Sequence, residues 1–176
     1  VKAGVRSIEH GTLMDKECMD LMKENGTYYV PTISAGAFVT EKATIEGYYP
    51  EIVRSKAEKI RPLLKSAFQK AYEAGVTIAF GTDSGVSYHG ENAKEFSNMV
   101  DAGMDPLDAI MSATIVAARL LGEEKNLGSI EKGKKADIIG VNGNPLEDIS
   151  VLENVVFVMK DGKIYKNETD KKGRNE

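Results

Sequence analysis

Two short stretches of the chain carry side chains suited to metal binding and proton transfer. They are Glu9-His10-Gly11 and Gly81-Thr82-Asp83-Ser84-Gly85, and each follows a run of β-branched or apolar residues. An imidazole nitrogen and a carboxylate oxygen are both good zinc ligands, and a carboxylate beside an activated water serves as a general base. Residue type alone leaves a structural role equally open, because a Thr-Asp-Ser turn commonly caps a helix or forms an Asx-turn.

The elements that must position these groups alternate between strand and helix over the first 122 residues. The strands are predicted at residues 5–8, 27–33 and 76–80. His10 follows the first strand and Asp83 follows the third. This alternation predicts parallel βα units, in which functional groups gather at the carboxyl ends of the strands.

The helical pattern between these strands is uneven. Residues 51–74 form the longest helical stretch, which we expect Pro62 to break or kink, and residues 34–49 read as a loop with a short helix. Asn92 and Glu95 form a predicted capping box for the helix that follows the third strand. From about residue 123 onwards the pattern changes to short strands and turns, with no helix predicted.

Composition narrows the classes of function. The 176 residues carry a net charge of −4, which argues against a nucleic-acid-binding face, and no apolar run approaches the roughly 18 residues of a membrane span. The single cysteine, Cys18, excludes an intramolecular disulfide. Three βα units are few beside the roughly 250 residues of a (β/α)₈ barrel, so we expect the chain to be a fragment of a larger protein.

Several motifs, taken in order, resemble the amidohydrolase superfamily. They are GVRSIEHGTLMD, GTDSGVSYHGENAKEFSNMVDAGMDPLDAIMSAT, AARLLG, GSIEKGKKADIIGV and NPLEDI, which together run over nearly the whole chain. The resemblance is greatest to the branch that holds the Xaa-Pro dipeptidases (prolidase-like) and the imidazolonepropionase-related enzymes.

This resemblance implies an α/β fold. Residues 1–122 would supply strands six to eight of a distorted (β/α)₈ barrel, and residues 123–166 would supply the C-terminal part of a small β-sandwich. Residues 167–176 are expected to form a frayed polar tail. The exposed edges of such a partial barrel would favour association or homo-oligomer formation.

The resemblance also implies roles for individual residues. His10 matches a metal-binding histidine at the end of strand six, and Asp83 matches a strand-eight aspartate that deprotonates the hydrolytic water and touches metal. His89, in the loop after Asp83, is a candidate substrate contact. Tyr28, at the predicted seventh strand, is a second candidate for the substrate pocket, against a simple packing role.

The chain also departs from the family pattern. The strand-one His-x-His pair, the strand-four lysine and the strand-five histidine have no counterpart, and the chain holds two histidines in all. His10 and Asp83 alone cannot complete a site that takes three or more protein ligands. The resemblance implies that the intact enzyme uses one or two divalent ions, with zinc expected. We expect this chain alone to bind metal weakly and to lack activity.

Three functions remain open from the sequence. The first is a metal-dependent hydrolase of amide bonds in Xaa-Pro-type dipeptides, and the second is a deaminase or cyclic-amide hydrolase of the same superfamily. The third is a non-catalytic scaffold. The expected partners are a small molecule or dipeptide, with neither nucleic acid nor membrane. A cytoplasmic location is favoured, and export stays open because a leader would precede Val1.

Overall fold

The computed structural model describes residues 1–169 and contains two sheets. Strand β1 (Ser7–Glu9) pairs in parallel with β2 (Tyr28–Val30), and β2 forms a parallel bridge from Tyr29 to Ile78 on its other side. Three chain segments therefore run side by side in the same direction, as the strand–helix alternation predicts. The α/β class expected from the sequence is confirmed.

The second sheet is antiparallel and follows the helical part of the chain. It consists of β3 (Ile138–Val141), β4 (Val155–Lys160) and β5 (Lys163–Asn167) in that order. Asp161 and Gly162 join β4 to β5, and both adopt positive φ, as a tight hairpin requires.

The helices fill the connections between the parallel segments and then continue along the chain. They are α1 (Lys16–Asn25), α2 (Ile33–Lys42), α3 (Glu51–Glu73), α4 (Lys94–Asp101), α5 (Pro106–Met111) and α6 (Ala117–Leu121). Local signals set two of these boundaries. Asp15 caps α1 by accepting from the Cys18 N–H at 2.8 Å, and Gly26 ends that helix in the left-handed conformation.

The hydrophobic core lies between the parallel sheet and helices α1, α3 and α4. Each of these helices buries at least one large side chain completely: Met22 in α1, Phe68 in α3 and Met99 in α4. Tyr29 of β2 is buried with them. The core thus anchors the strands whose ends carry the candidate site.

The short helix expected within residues 34–49 is α2, and turns follow it up to residue 49. Three other local predictions were wrong. The break expected at Pro62 is absent, because α3 is one helix from Glu51 to Glu73. The predicted strand at 76–80 is reduced to the single bridge at Ile78. A short 3₁₀ helix, Ile149–Glu153, lies where none was expected. Burial of Ala67 and Phe68 stabilises α3 beyond Pro62. The Asp148 cap and the burial of Ile149 and Leu152 stabilise the 3₁₀ helix.

The predicted capping box was also wrong. Helix α4 begins at Lys94 after Ala93, which makes no side-chain cap. The Asn92 amide instead donates to the Thr82 hydroxyl at 3.3 Å, and the Glu95 carboxylate contacts α2. Both side chains serve a distant segment rather than the start of their own helix.

The frayed tail expected from residue 167 does not begin there. Asn167 is the last residue of β5, and its side chain accepts from the Thr169 N–H and hydroxyl. The rest of the predicted tail, residues 170–176, lies outside the described residues.

Within residues 1–169, no helix combines the length and apolar character that crossing a bilayer requires.

Pro62 provides a test of how α3 is stabilised. Proline inside a helix removes one backbone hydrogen bond and is about 3 kcal/mol less favourable than alanine. Because Pro62 is exposed, we expect Pro62→Ala to raise the free energy of unfolding by about 1–3 kcal/mol. Urea unfolding followed by circular dichroism measures this, with Lys59→Ala, an exposed change on the same helix, as the matched control. A lower stability for Pro62→Ala would contradict it.

Candidate active site

Three residues at the ends of the parallel segments share an unusual backbone conformation. His10, Thr32 and Asp83 have φ values of 64°, 51° and 52°, in the left-handed region. Such conformations cost about 1–3 kcal/mol each in non-glycine residues and cluster at functional sites. Thr32 is the most strained of the three, because a β-branched side chain rarely tolerates positive φ.

The backbone of His10 is fixed from both sides by β2. Its N–H donates to the Val30 carbonyl at 2.9 Å, and its carbonyl accepts from the Tyr29 hydroxyl at 2.9 Å. Burial, together with the nearby charge of Glu95, raises the pKa of the Tyr29 hydroxyl far above its ordinary value. Tyr29 therefore stays a neutral donor to His10.

The imidazole of His10 is oriented by a single side-chain contact. Its Nδ1 lies 2.6 Å from the Thr32 hydroxyl oxygen. When Nδ1 carries the proton, it donates to Thr32 and leaves Nε2 with a free lone pair. In metal-binding histidines, the ring nitrogen that does not bind the metal usually donates a hydrogen bond, and this bond fixes the orientation of the ring.

His10, Thr32 and Asp83 line one cavity of about 370 Å³. Its wall is formed largely by apolar residues of α2 and α3: Ala35, Gly36, Val39, Val53, Ala57, Ile60 and Leu64. Lys56 of α3 also lines the cavity. The cavity thus combines ligand-capable groups at the strand ends with an apolar wall, the usual character of a small-molecule site.

Glu95 is a residue of this region that sequence reasoning misplaced. Its side chain is fully buried, and its two oxygens accept from the N–H groups of Ile33 and Ser34 and from the Ser34 hydroxyl. Burial raises the pKa of the Glu95 carboxyl above its ordinary value, and these three donors act in the opposite direction. The sequence signal was a charged residue on the apolar face of a helix.

The structure brings together two of the four predicted site residues. His10 and Asp83 line the same cavity, whereas His89 is exposed in the loop before α4 and Tyr28 is half-buried within β2. Neither His89 nor Tyr28 lies in the cavity wall. Their roles as substrate contacts stay predictions.

No group of three or more His, Cys, Asp or Glu side chains that could hold a metal ion occurs within residues 1–169. His10 and Asp83 supply one imidazole and one carboxylate, a donor pair that suits zinc but is too small to complete a site. The two residues therefore fit a divalent metal as part of a larger ligand set.

Known proteins with similar sequences and folds identify the family of this chain. Residues 1–165 match the model of the amidohydrolase family. The fold is similar to the crystal structure of a Xaa-Pro dipeptidase with methionine bound in its active site, with 63% identity and a TM-score of 0.92 over 94% of this chain and 41% of that one.

Two curated relatives widen the range of activities. An ochratoxinase of Aspergillus niger is 39% identical over 94% of this chain and 35% of its own length. A 5-methylthioadenosine/S-adenosylhomocysteine deaminase of Teredinibacter turnerae is 36% identical over 48% of this chain and 21% of its own. The chain spans less than half the length of each of these relatives. The family match over 165 residues shows that the chain belongs to the amidohydrolase family.

Proposed function

We propose that this chain forms one part of the active site of a metal-dependent amidohydrolase that cleaves amide bonds in Xaa-Pro-type dipeptides. The observation that carries the proposal is the placement of His10 and Asp83, which follow the two parallel segments on either side of β2 and line one cavity. The 63% identity to a Xaa-Pro dipeptidase supports the choice of substrate.

The architecture proposed for the parent enzyme follows from the two sheets. Residues 1–122 would be strands six to eight of a (β/α)₈ barrel with their helices, and residues 123–166 would belong to a β-sandwich. The parallel order of β1, β2 and the segment at Ile78 supports the first part. The antiparallel order of β3, β4 and β5 supports the second.

A divalent metal, for which zinc is our proposal, would polarise the scissile carbonyl and lower the pKa of the attacking water. His10 would bind it through Nε2, with Thr32 fixing the ring. Asp83 would add a carboxylate oxygen, and the remaining ligands would come from outside residues 1–169.

Asp83 would carry the proton in this reaction. Its carboxylate would accept a proton from the attacking water and deliver it to the nitrogen of the leaving amine. The apolar wall from α2 and α3 would hold an apolar substrate side chain and exclude bulk water. Lys56, which also lines the cavity, would offer its ammonium group to a substrate carboxylate.

Two further functions stay open beside this one. The similarity to a deaminase over about half of the chain supports activity as a deaminase or a cyclic-amide hydrolase. A non-catalytic scaffold is the other alternative, and association through exposed apolar side chains such as Leu13, Leu121 and Ile130 would suit either an enzyme or a scaffold.

Activity of the chain alone and within its parent protein tests the proposal. We expect the protein that contains this chain, supplied with zinc, to release proline from dipeptides such as Met-Pro. The 176-residue chain with zinc should show no turnover, because two ligands do not complete the site. Proline release is the readout, and ammonia release from 5-methylthioadenosine is the parallel assay.

The outcomes separate the alternatives. Ammonia release without proline release would favour the deaminase, and neither activity in the zinc-loaded parent would favour the scaffold. Measurable dipeptide hydrolysis by the pure 176-residue chain would contradict the expectation that its metal site is incomplete.

A further inference from the structure

Helix α2 begins without a cap from its own N-cap residue. Thr32 occupies that position with φ 51° and ψ 44°, and its side chain makes no capping hydrogen bond. The N–H groups of Ile33 and Ser34 therefore need another acceptor, because the first donors of a helix have no partner within it. Thr32 and Ile33 are both buried, which keeps water from serving as that acceptor.

Glu95 of α4 supplies the missing acceptor. Its Oε1 accepts from the Ile33 N–H at 2.8 Å, and its Oε2 accepts from the Ser34 N–H at 2.7 Å and from the Ser34 hydroxyl at 2.6 Å. The Asn98 amide donates to the same hydroxyl oxygen at 3.0 Å, so the hydroxyl hydrogen is committed to Glu95. The positive end of the α2 dipole favours a carboxylate here.

This arrangement frees the Thr32 hydroxyl. A threonine at an N-cap ordinarily accepts from an N–H two or three residues later. Here Glu95 takes the donors of Ile33 and Ser34, and the Thr32 hydroxyl oxygen lies 2.6 Å from His10 Nδ1 instead. The same bonds hold the residues directly after Thr32 and so maintain its strained backbone, which needs such support to persist.

We propose that Glu95 is a positioning residue for His10: it caps α2 in place of Thr32 and thereby commits the Thr32 hydroxyl to the imidazole. The consequence for metal binding rests on the proposed function of His10. We call the series of contacts from Glu95 to the α2 N-terminus, and from Thr32 to His10, the relay. The relay itself does not depend on metal binding.

The chain contains only two histidines, which makes the relay measurable by NMR. In the ¹⁵N-labelled 176-residue chain, long-range ¹⁵N–¹H correlation reports which ring nitrogen carries the proton, at a pH well above the ordinary imidazole pKa. His89 is exposed and serves as the internal reference, and His89→Gln assigns the two rings. We expect the tautomer ratio of His10 to differ from that of His89, because the Thr32 hydroxyl lies 2.6 Å from Nδ1 and favours one tautomer of this ring.

Two substitutions and their combination test the relay. Glu95→Gln places an amide NH₂ among donors, so Thr32 returns to capping α2 and the His10 ring shifts move most of the way to those of His89. Thr32→Val produces the same shift. If Glu95 acts through Thr32, adding Glu95→Gln to Thr32→Val moves the His10 signals no further.

Each outcome decides the proposal. Folded Glu95→Gln with unchanged His10 signals overturns it, as does an equal added shift in the Thr32→Val background. If Glu95→Gln fails to fold, Ser34→Ala decides instead, because it removes one bond to the carboxylate and should shift His10 partway in the same direction. A positive NMR result beside an inactive parent protein would reject the proposed function and retain the relay.

Discussion

Replacing Asp83 with asparagine in the protein that contains this chain should lower kcat for dipeptide hydrolysis by about 100- to 10,000-fold, the usual contribution of a general base. Asparagine keeps the shape of the side chain but cannot accept the proton of the attacking water. Asp83 holds a left-handed backbone with φ 52°, a conformation that asparagine also tolerates. The loss should therefore fall on the chemistry rather than on folding.

Steady-state kinetics of proline release, with circular dichroism as a check on folding, measures this effect. Asp101→Asn is the matched control, because Asp101 is an exposed aspartate on α4 that pairs with Lys65 at the surface. Surface pairs of this kind contribute little, so its kcat should stay within a few-fold of the wild type. If the Asp83→Asn variant keeps a kcat similar to that of the wild type, Asp83 does not transfer the proton.

Much of the fold was predictable because its signals are local. Asp15 and Gly26 mark the two ends of α1 within a dozen residues, and the strand–helix alternation predicts the parallel pairing of β1 and β2. His10 was predicted as a candidate site residue on the same basis, because it directly follows a strand, and it lines the cavity. A pattern that lies within one element or at its end is visible without the rest of the molecule.

The remaining features depend on partners distant in the sequence. Glu95 lies three residues after Asn92, which matches a capping box, but its carboxylate contacts Ile33 and Ser34, more than 60 residues away. Thr32 was missed as a site residue because its role depends on that contact. Local spacing cannot distinguish a cap on the same helix from a cap on another one.

The extent of α3 was predicted closely, but the prediction of a break at Pro62 was wrong for a similar reason. A proline at position 62 ordinarily ends a helix, yet the structure continues through it to Glu73. The later turns bury Ala67, Phe68 and Ala71 in the core. Burial of these side chains is a tertiary effect, and it offsets the cost of Pro62.

Phe68 is the largest fully buried side chain of α3. It is fully buried in the core cluster, so Phe68→Ala should lower the free energy of unfolding by about 3–5 kcal/mol, from the lost apolar transfer and the cavity left behind. Urea unfolding of the 176-residue chain measures it. Leu63→Ala on the same helix is the matched control, because Leu63 is 38% exposed and should cost well under half as much.

The substitution also separates stability from the shape of the site. Ala57, Ile60 and Leu64 of α3 line the cavity beside His10 and Asp83, and the core contacts of Phe68 hold the same helix against the sheet. In the parent protein, under conditions where Phe68→Ala stays folded, we expect KM for a dipeptide with a large apolar side chain to rise while Leu63→Ala leaves it unchanged. An unfolding cost below about 1 kcal/mol for Phe68→Ala would mean that α3 is held in place by contacts other than its buried face.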